Sequence, residues 1–403
     1  MKKAIFFVAL LFGVLLICPN SVFGQAPKIS ESCEISLLTC TQGDELYSCF
    51  GHSGIRLKDP ENKIDLVFNY GTFDFTKPYF YLNFCRGILI YSLGVDYFED
   101  FKYVYVYEGR GISEQLLNLN TEEKQKIANF LLNNAAPKNR DYRYDFLLDN
   151  CATRIRDVFQ IALGEKLSFN LSDWDSTKTF RNLIDEYSIE KRWENFGMNL
   201  LIGLPVDRAA TPMEQMFLPD YLSLGFENAC VNINGKEEPF VLSKKTLLTK
   251  PFRVKSANYK SPEVLLSIIM LLLLIVSIQE IRYKKHFKSI DFVVLFATGF
   301  IGLLFVILWF FTQHWTTAIN LNLLWALPIN IYLAFANLKK HPSIFFKRAL
   351  TVSLCLEVLF LITHFYLPQP FQLGMILLNI CVILRLAVIY FSRYKKEIII
   401  EAA

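Results

Sequence analysis

The stretch of this chain best suited to do chemistry is Asp149-Asn150-Cys151-Ala152-Thr153-Arg154. Asn is a preferred helix N-cap, and Cys151, Ile155, Val158, Phe159 and Ala162 follow at the spacing of one apolar helix face that ends near Gly164. A thiol in a first helical turn meets unpaired N–H groups and the positive end of the helix dipole, which lower its pKa and favour the reactive thiolate. Taken alone, a cysteine on an apolar face reads as an inert core thiol. Here a base is at hand. Of five histidines only His52, in Phe50-Gly51-His52-Ser53-Gly54-Ile55-Arg56, lies in the part that reads as exported and soluble. A thiol, an imidazole and a polar group to orient the ring make the minimal acyl-transfer constellation. Asn69, in Asn69-Tyr70-Gly71, is the candidate third group: its amide oxygen would accept a hydrogen bond from His52 and fix the tautomer. The plainer reading of Asn69 is a turn residue before Gly71. Helix-start N–H groups would supply an oxyanion hole, with Tyr70 or Tyr144 as candidate further donors.

The elements that must position these groups can be read in order. Residues 34–39 read as a strand, and 52–57 and 64–70 as a hairpin that puts His52, Gly54 and Arg56 on one face. The alternation Tyr103-Val104-Tyr105-Val106-Tyr107 predicts another strand. Asn120 and Glu123 predict a capping box opening a helix through Leu132, which Pro137 stops. Strands come first and the nucleophile helix last, an α+β order. Beyond Gly164, residues 177–187 read as helical and 213–222 as a loop and short helix against the membrane or over the cleft.

Composition divides the chain. It is 53% hydrophobic with a mean hydropathy of +0.29, too apolar to be wholly soluble. Met1-Lys2-Lys3, the apolar run from Ala4 to Ile17 and Val22-Phe23-Gly24 predict a signal peptide over 1–24. Ile17 before Cys18 and Pro19 after it argue against a lipoprotein processing site. An exported domain follows over 25–230, with Cys33, Cys40, Cys49, Cys85, Cys151 and Cys230 in a compartment where disulfides form. Residues 231–261 are polar and lysine-rich and read as a juxtamembrane connector. Five apolar spans follow within 262–396, near 262–281, 289–311, 321–337, 349–367 and 373–391, the third of them short. Lys and Arg fill the loops after the first, third and fifth spans and are missing from the other two, so the C-terminus is predicted to be cytoplasmic and the thiol domain outside. Within the bundle, Glu357 and Arg385 fall at similar depth and are expected to pair. The net charge of +4 and the absence of an exported basic stretch interleaved with aromatics argue against nucleic acid as a partner. No Cys/His spacing suggests a metal, and no cofactor is called for.

The order of histidine, polar residue on the next strand and Asn-Cys at a helix start resembles the lecithin:retinol acyltransferase-like branch of the circularly permuted papain-like (NlpC/P60-like) superfamily. The longer set, Phe50-Gly51-His52-Ser53-Gly54-Ile55-Arg56, Asn69-Tyr70-Gly71, Tyr144-Asp145-Phe146 and Asp149-Asn150-Cys151-Ala152-Thr153-Arg154, with a secreted domain fused to several spans, resembles bacterial lipoprotein N-acyltransferases of the Lnb type. The resemblance implies a papain-like thiol domain, five transmembrane helices, the inner membrane, and transfer of a phospholipid acyl chain to the amine of a diacylglyceryl-cysteine lipoprotein. Cys151 and His52 carry over as the catalytic pair, with Asn69 a looser match.

Arg56 and Arg154 are candidates for a lipid phosphate, against the plainer reading of ion pairs with acids such as Asp149 or Asp157. The polar loop Thr312–Asn322, with His314 and Asn320, is a candidate lipid or lipoprotein site, against interfacial anchoring. Two other functions compete: a peptidoglycan amidase or endopeptidase using the same pair, and a non-catalytic membrane sensor or scaffold.

Overall fold

A computed structural model describes residues 28–250 and 261–401. The predicted signal peptide, Cys18 and part of the predicted connector lie outside the described residues. The N-terminal domain is built on ten strands: β1 (Glu34–Cys40), β2 (His52–Asp59), β3 (Ile64–Thr72), β4 (Ile90–Tyr97), β5 (Ile112–Leu117), β6 (Asp141–Arg143), β7 (Leu167–Phe169), β8 (Ala229–Ile233), β9 (Lys236–Pro239) and β10 (Val241–Leu248). Seven form one sheet in the order β10-β5-β1-β2-β3-β4-β6, with every pairing antiparallel, and β7-β8-β9 form a small second sheet.

The helix Cys151–Leu163 and the helix Thr121–Ala135 cover one face of the large sheet. Ile155, Val158, Phe159 and Ala162 are buried there with Leu37, Ile55 and Phe68, as the apolar stripe predicts. Both helices begin as predicted: Asn120 and Glu123 form a capping box, and Asn150 caps the Cys151 helix.

The other face is covered by a helix, Phe98–Tyr107, where a strand over 103–107 is expected. Alternating Tyr and Val favour a strand locally, but Phe98, Phe101 and Tyr105 are spaced for one helical face and are buried against Leu38, Cys40 and Val67. Glu99 and Asp100 in its first turn complement the helix dipole. Gly54 and Arg56 share this face, under Phe101 and Phe98.

Residues 231–261 are not merely a connector. They carry β9 and β10, and β10 pairs with β5 to complete the edge of the large sheet. Lys244 and Lys245, two of the segment's basic residues, pair with Glu227 and Glu114. Residues 213–222 join the core: Phe217 and Leu218, between the helices Pro212–Gln215 and Pro219–Glu227, and Leu222, within the second, are buried. The described cysteines are all unpaired.

The C-terminal domain is helical. Pro262–Tyr283, Lys288–Phe311, Ile344–Tyr366 and Leu373–Tyr394 are long and apolar enough to cross a bilayer. Where a short third span is expected the chain forms a bent pair, Trp315–Leu324 with Ile329–Leu338, turned by 44°, so the described helices give four crossings, or five with the pair counted as one. Glycine lets it approach its neighbour: a Cβ at Gly302 would stand 1.8 Å from Ala326 O, and one at Gly299 would stand 2.6 Å from Ile331 N. Arg385 does not pair with Glu357. Its Nε and Nη1 donate to Asp291 (2.9 Å) and Glu280 (2.7 Å), while Glu357 accepts from Asn379 at 2.6 Å. The neighbouring helices decide, because Pro262–Tyr283 and Lys288–Phe311 bring two acids to Arg385.

Candidate active site

Asn150 organises the start of the Cys151 helix. Its Oδ1 accepts from the N–H groups of Ala152 (2.9 Å) and Thr153 (3.0 Å), and its Nδ2 donates to the carbonyls of Phe146 and Phe217, each at 2.8 Å. Thr153 Oγ1 accepts from Asn150 N–H in return. One consequence narrows the oxyanion expectation. Ala152 and Thr153 N–H serve Asn150 Oδ1 and Arg154 N–H serves Asn150 O, which leaves Cys151 N–H as the helix-start donor free to serve a substrate oxygen.

His52 begins β2, opposite Cys40 of β1, after Gly51 in a left-handed conformation (φ 80°). Its Nε2–H donates to Asn69 Oδ1 in β3. With Nε2 so used, Nδ1 is the ring nitrogen left for Cys151, and His52 and Cys151 share a hydrogen bond. Burial raises the Cys151 pKa, but the His52 charge, that hydrogen bond and the N–H groups of Ser53 and Ala152 lower it by more, so the net shift is downward. Burial likewise disfavours a charged His52, and the Cys151 charge with the bonds to Cys151 and Asn69 carries its pKa above the ordinary value. Each group's charge thus favours the charged form of the other. Cys33, Cys40 and Cys49, by contrast, are pushed by burial to about 11, 12 and 11.

Of the two tyrosines, Tyr144 is the one at the thiol. Gly71 (φ 85°) leaves room beside it: a Cβ there would meet both Cys151 Cβ and Tyr144 Cε2 at 3.7 Å. Burial and the Cys151 charge hold the Tyr144 hydroxyl well above its ordinary pKa, so it stays a protonated donor. Tyr70 is fully buried. Its hydroxyl accepts from Asn134 at 2.9 Å and borders a separate cleft of about 390 Å³ with Arg154 and Asp157, and burial pushes its pKa to about 12.

The two arginines are occupied. Arg56 pairs with Asp65 (2.6 Å) and Glu114 (3.1 Å) and lies 3.4 Å over the Phe98 ring, on the sheet face away from the Cys151 helix. Arg154 grips Asp149 with two bonds of 2.5 and 2.7 Å and lies over Tyr142. Neither is a free phosphate ligand; ion pairing within the domain is the reading that holds. Asn320 is likewise structural. It is buried, donates to the carbonyls of Leu200 and Leu201, and accepts from Asn322 N–H, so it ties the two domains together.

His314 and its neighbours dock on the site itself. His314 Nε2 bonds to Phe84 O at 2.9 Å, Gln313 N–H donates to Arg86 O at 2.8 Å, and Arg143 donates to Gln313 at 2.6 Å. Trp315 Nε1–H donates to Asp145 Oδ2 at 2.5 Å, while Asp145 Oδ1 accepts from Leu147 and Leu148 N–H in the turn leading to Cys151. Sequence reasoning missed Trp315 and Asp145 as a pair. The only signal was that Asp145 stands in Tyr-Asp-Phe, six residues before the thiol.

These features define a helical membrane protein that carries a cysteine–histidine–asparagine cluster on an α+β domain clamped to its bundle. The chain belongs to the Lnb family: residues 26–186 match the Lnb N-terminal periplasmic domain and residues 255–397 the Lnb transmembrane domain. Comparison with curated proteins and with solved structures gave no match.

Proposed function

We propose that the protein is a lipoprotein N-acyltransferase of the bacterial inner membrane, with a permuted papain-like thiol domain on the periplasmic side and a cytoplasmic C-terminus. It moves a phospholipid acyl chain through a Cys151 thioester to the amine of a diacylglyceryl-cysteine lipoprotein. The observation that carries this reading is the docking of the 312–317 loop on Phe84, Arg143 and Asp145. That loop joins two spans, so the thiol is held at the surface of the bilayer where both substrates reside, and a five-span bundle has a purpose that a soluble-substrate amidase would not require.

In the first half-reaction the Cys151 thiolate attacks the ester carbonyl and the negative oxygen is held by Cys151 N–H and the Tyr144 hydroxyl. The carbon–oxygen bond breaks as His52 gives its proton to the departing lysophospholipid oxygen. In the second, a neutral lipoprotein amine attacks the thioester, His52 takes the amine proton, and the carbon–sulfur bond breaks to return the thiolate. Splitting the reaction spares the site from holding two bulky lipids at one carbon together.

Mass spectrometry of lipoprotein N-termini, in cells with no other N-acyltransferase, tests the proposal. Cells with the protein should carry N-acylated termini and cells with Cys151→Ala should not; unchanged acylation in the variant refutes the covalent route.

A further inference from the structure

Aromatic rings run without a break from the membrane loop to the nucleophile. His314 and Phe84 lie 6.3 Å apart between ring centroids, Phe84 and Phe80 6.5 Å, Phe80 and Phe73 6.1 Å, Phe73 and Tyr91 5.1 Å, and Tyr91 and Tyr144 4.3 Å. Tyr144 then borders Cys151 across Gly71. Phe73, Phe80, Tyr91 and Tyr144 are half-buried, so they line a surface and do not fill a core. At the membrane end the short helix Phe80–Arg86 leaves Tyr81 68%, Leu82 54% and Phe84 49% exposed, with Arg86 its only charge. This helix sits on the loop that directly follows the span ending at Phe311, where Phe310 and Phe311 are also exposed.

We infer, resting on the acyltransferase reading, that this track is the subsite for the donor acyl chain and that Phe80–Arg86 dips into the adjoining leaflet to collect it. An extended chain placed with its carbonyl at Cys151 Sγ would run over Tyr144, Tyr91 and Phe73 and leave the protein at Leu82 and Phe84. The rings are apolar enough to shelter methylenes, and their hydroxyl-bearing members stand at the reacting end where a polar group is wanted. Continuity with both the thiol and the bundle surface favours a lipid chain over a polypeptide, since the track is a run of rings that ends at exposed apolar side chains beside a span.

Two measurements test this. A benzophenone amino acid at position 82 of the Cys151→Ala protein, in phospholipid nanodiscs without lipoprotein, should cross-link to phospholipid on irradiation. The same group at Phe310 should do so as a positive control, and at Tyr103, exposed on the far face of the sheet, it should not. Because this arm needs no turnover, its failure is distinct from failure of the acyltransferase reading. Absence of lipid cross-links at 82 with cross-links at 310 overturns the leaflet contact. Separately, Phe80→Ser with Phe84→Ser, at the far end of the track, should slow acylation of Cys151 by a long-chain phospholipid at least about tenfold. Acylation by p-nitrophenyl butyrate, whose chain is too short to reach Phe80, should change less than about twofold. Equal losses for both donors, or no loss for either, overturn the subsite; absence of any Cys151 acylation in the unaltered protein would instead refute the acyltransferase reading.

Discussion

Asn69 Oδ1 accepts the Nε2–H of His52, and that one bond decides which ring nitrogen faces Cys151. Asn69→Ala should lower the acylation rate by about 10- to 100-fold, the worth of a hydrogen bond to a charged group. Removing the imidazole altogether with His52→Ala should cost at least about 100-fold. Single-turnover acylation of Cys151 measures both. An Asn69→Ala rate equal to that of the unaltered protein would reduce Asn69 to a structural residue of β3.

The Cys151 pKa lies below the ordinary 9.0 and that of His52 above the ordinary 6.5, because each charge favours the other. Alkylation by iodoacetamide needs only the thiolate and should therefore rise to a plateau with a midpoint below 9.0. In His52→Ala the burial remains while the neighbouring charge is gone, and the midpoint should move above 9.0. An unmoved midpoint would mean that the helix start alone activates the thiol.

Trp315→Phe keeps the ring and removes the donor to Asp145. Cys151 should be alkylated at the normal rate, while acyl transfer from phospholipid in bilayers should fall about tenfold, the worth of one hydrogen bond to a carboxylate. A parallel fall in alkylation would show that the loop shapes the nucleophile itself and does more than fix its height above the membrane.

In the bundle, Arg385→Met strands Asp291 and Glu280 without their counter-charge and should destabilise the protein by roughly 3–5 kcal/mol. Glu357→Gln retains an oxygen for Asn379 and should cost under about 1 kcal/mol. Thermal unfolding in detergent distinguishes the two. Comparable losses would contradict the separate pairings.

What the sequence made legible was what local rules govern. Asn150 and Asn120 mark helix starts through hydrogen bonds that span three residues, and the stripe from Cys151 to Ala162 needs only the helical period. His52 and Asn69 could be joined because a hairpin fixes neighbouring strands by a short connection. Other features depended on distant partners. Residues 103–107 are helical because a sheet face needed covering, β10 exists because β5 offered an open edge, and the choice between Glu357, Glu280 and Asp291 as partners of Arg385 lies in which helices become neighbours. Arg56 is likewise met by Glu114 of a distant strand, whereas the Arg154–Asp149 pair spans only five residues and was among the pairings the sequence offered.

Asn150 donates to the carbonyl of Phe217, a residue 67 positions later, as part of the bonding that fixes the start of the Cys151 helix. A growing chain therefore cannot complete this anchor until the segment around Phe217 has been synthesised and has folded back. The last hydrogen bond at the start of the Cys151 helix is thus a late product of assembly.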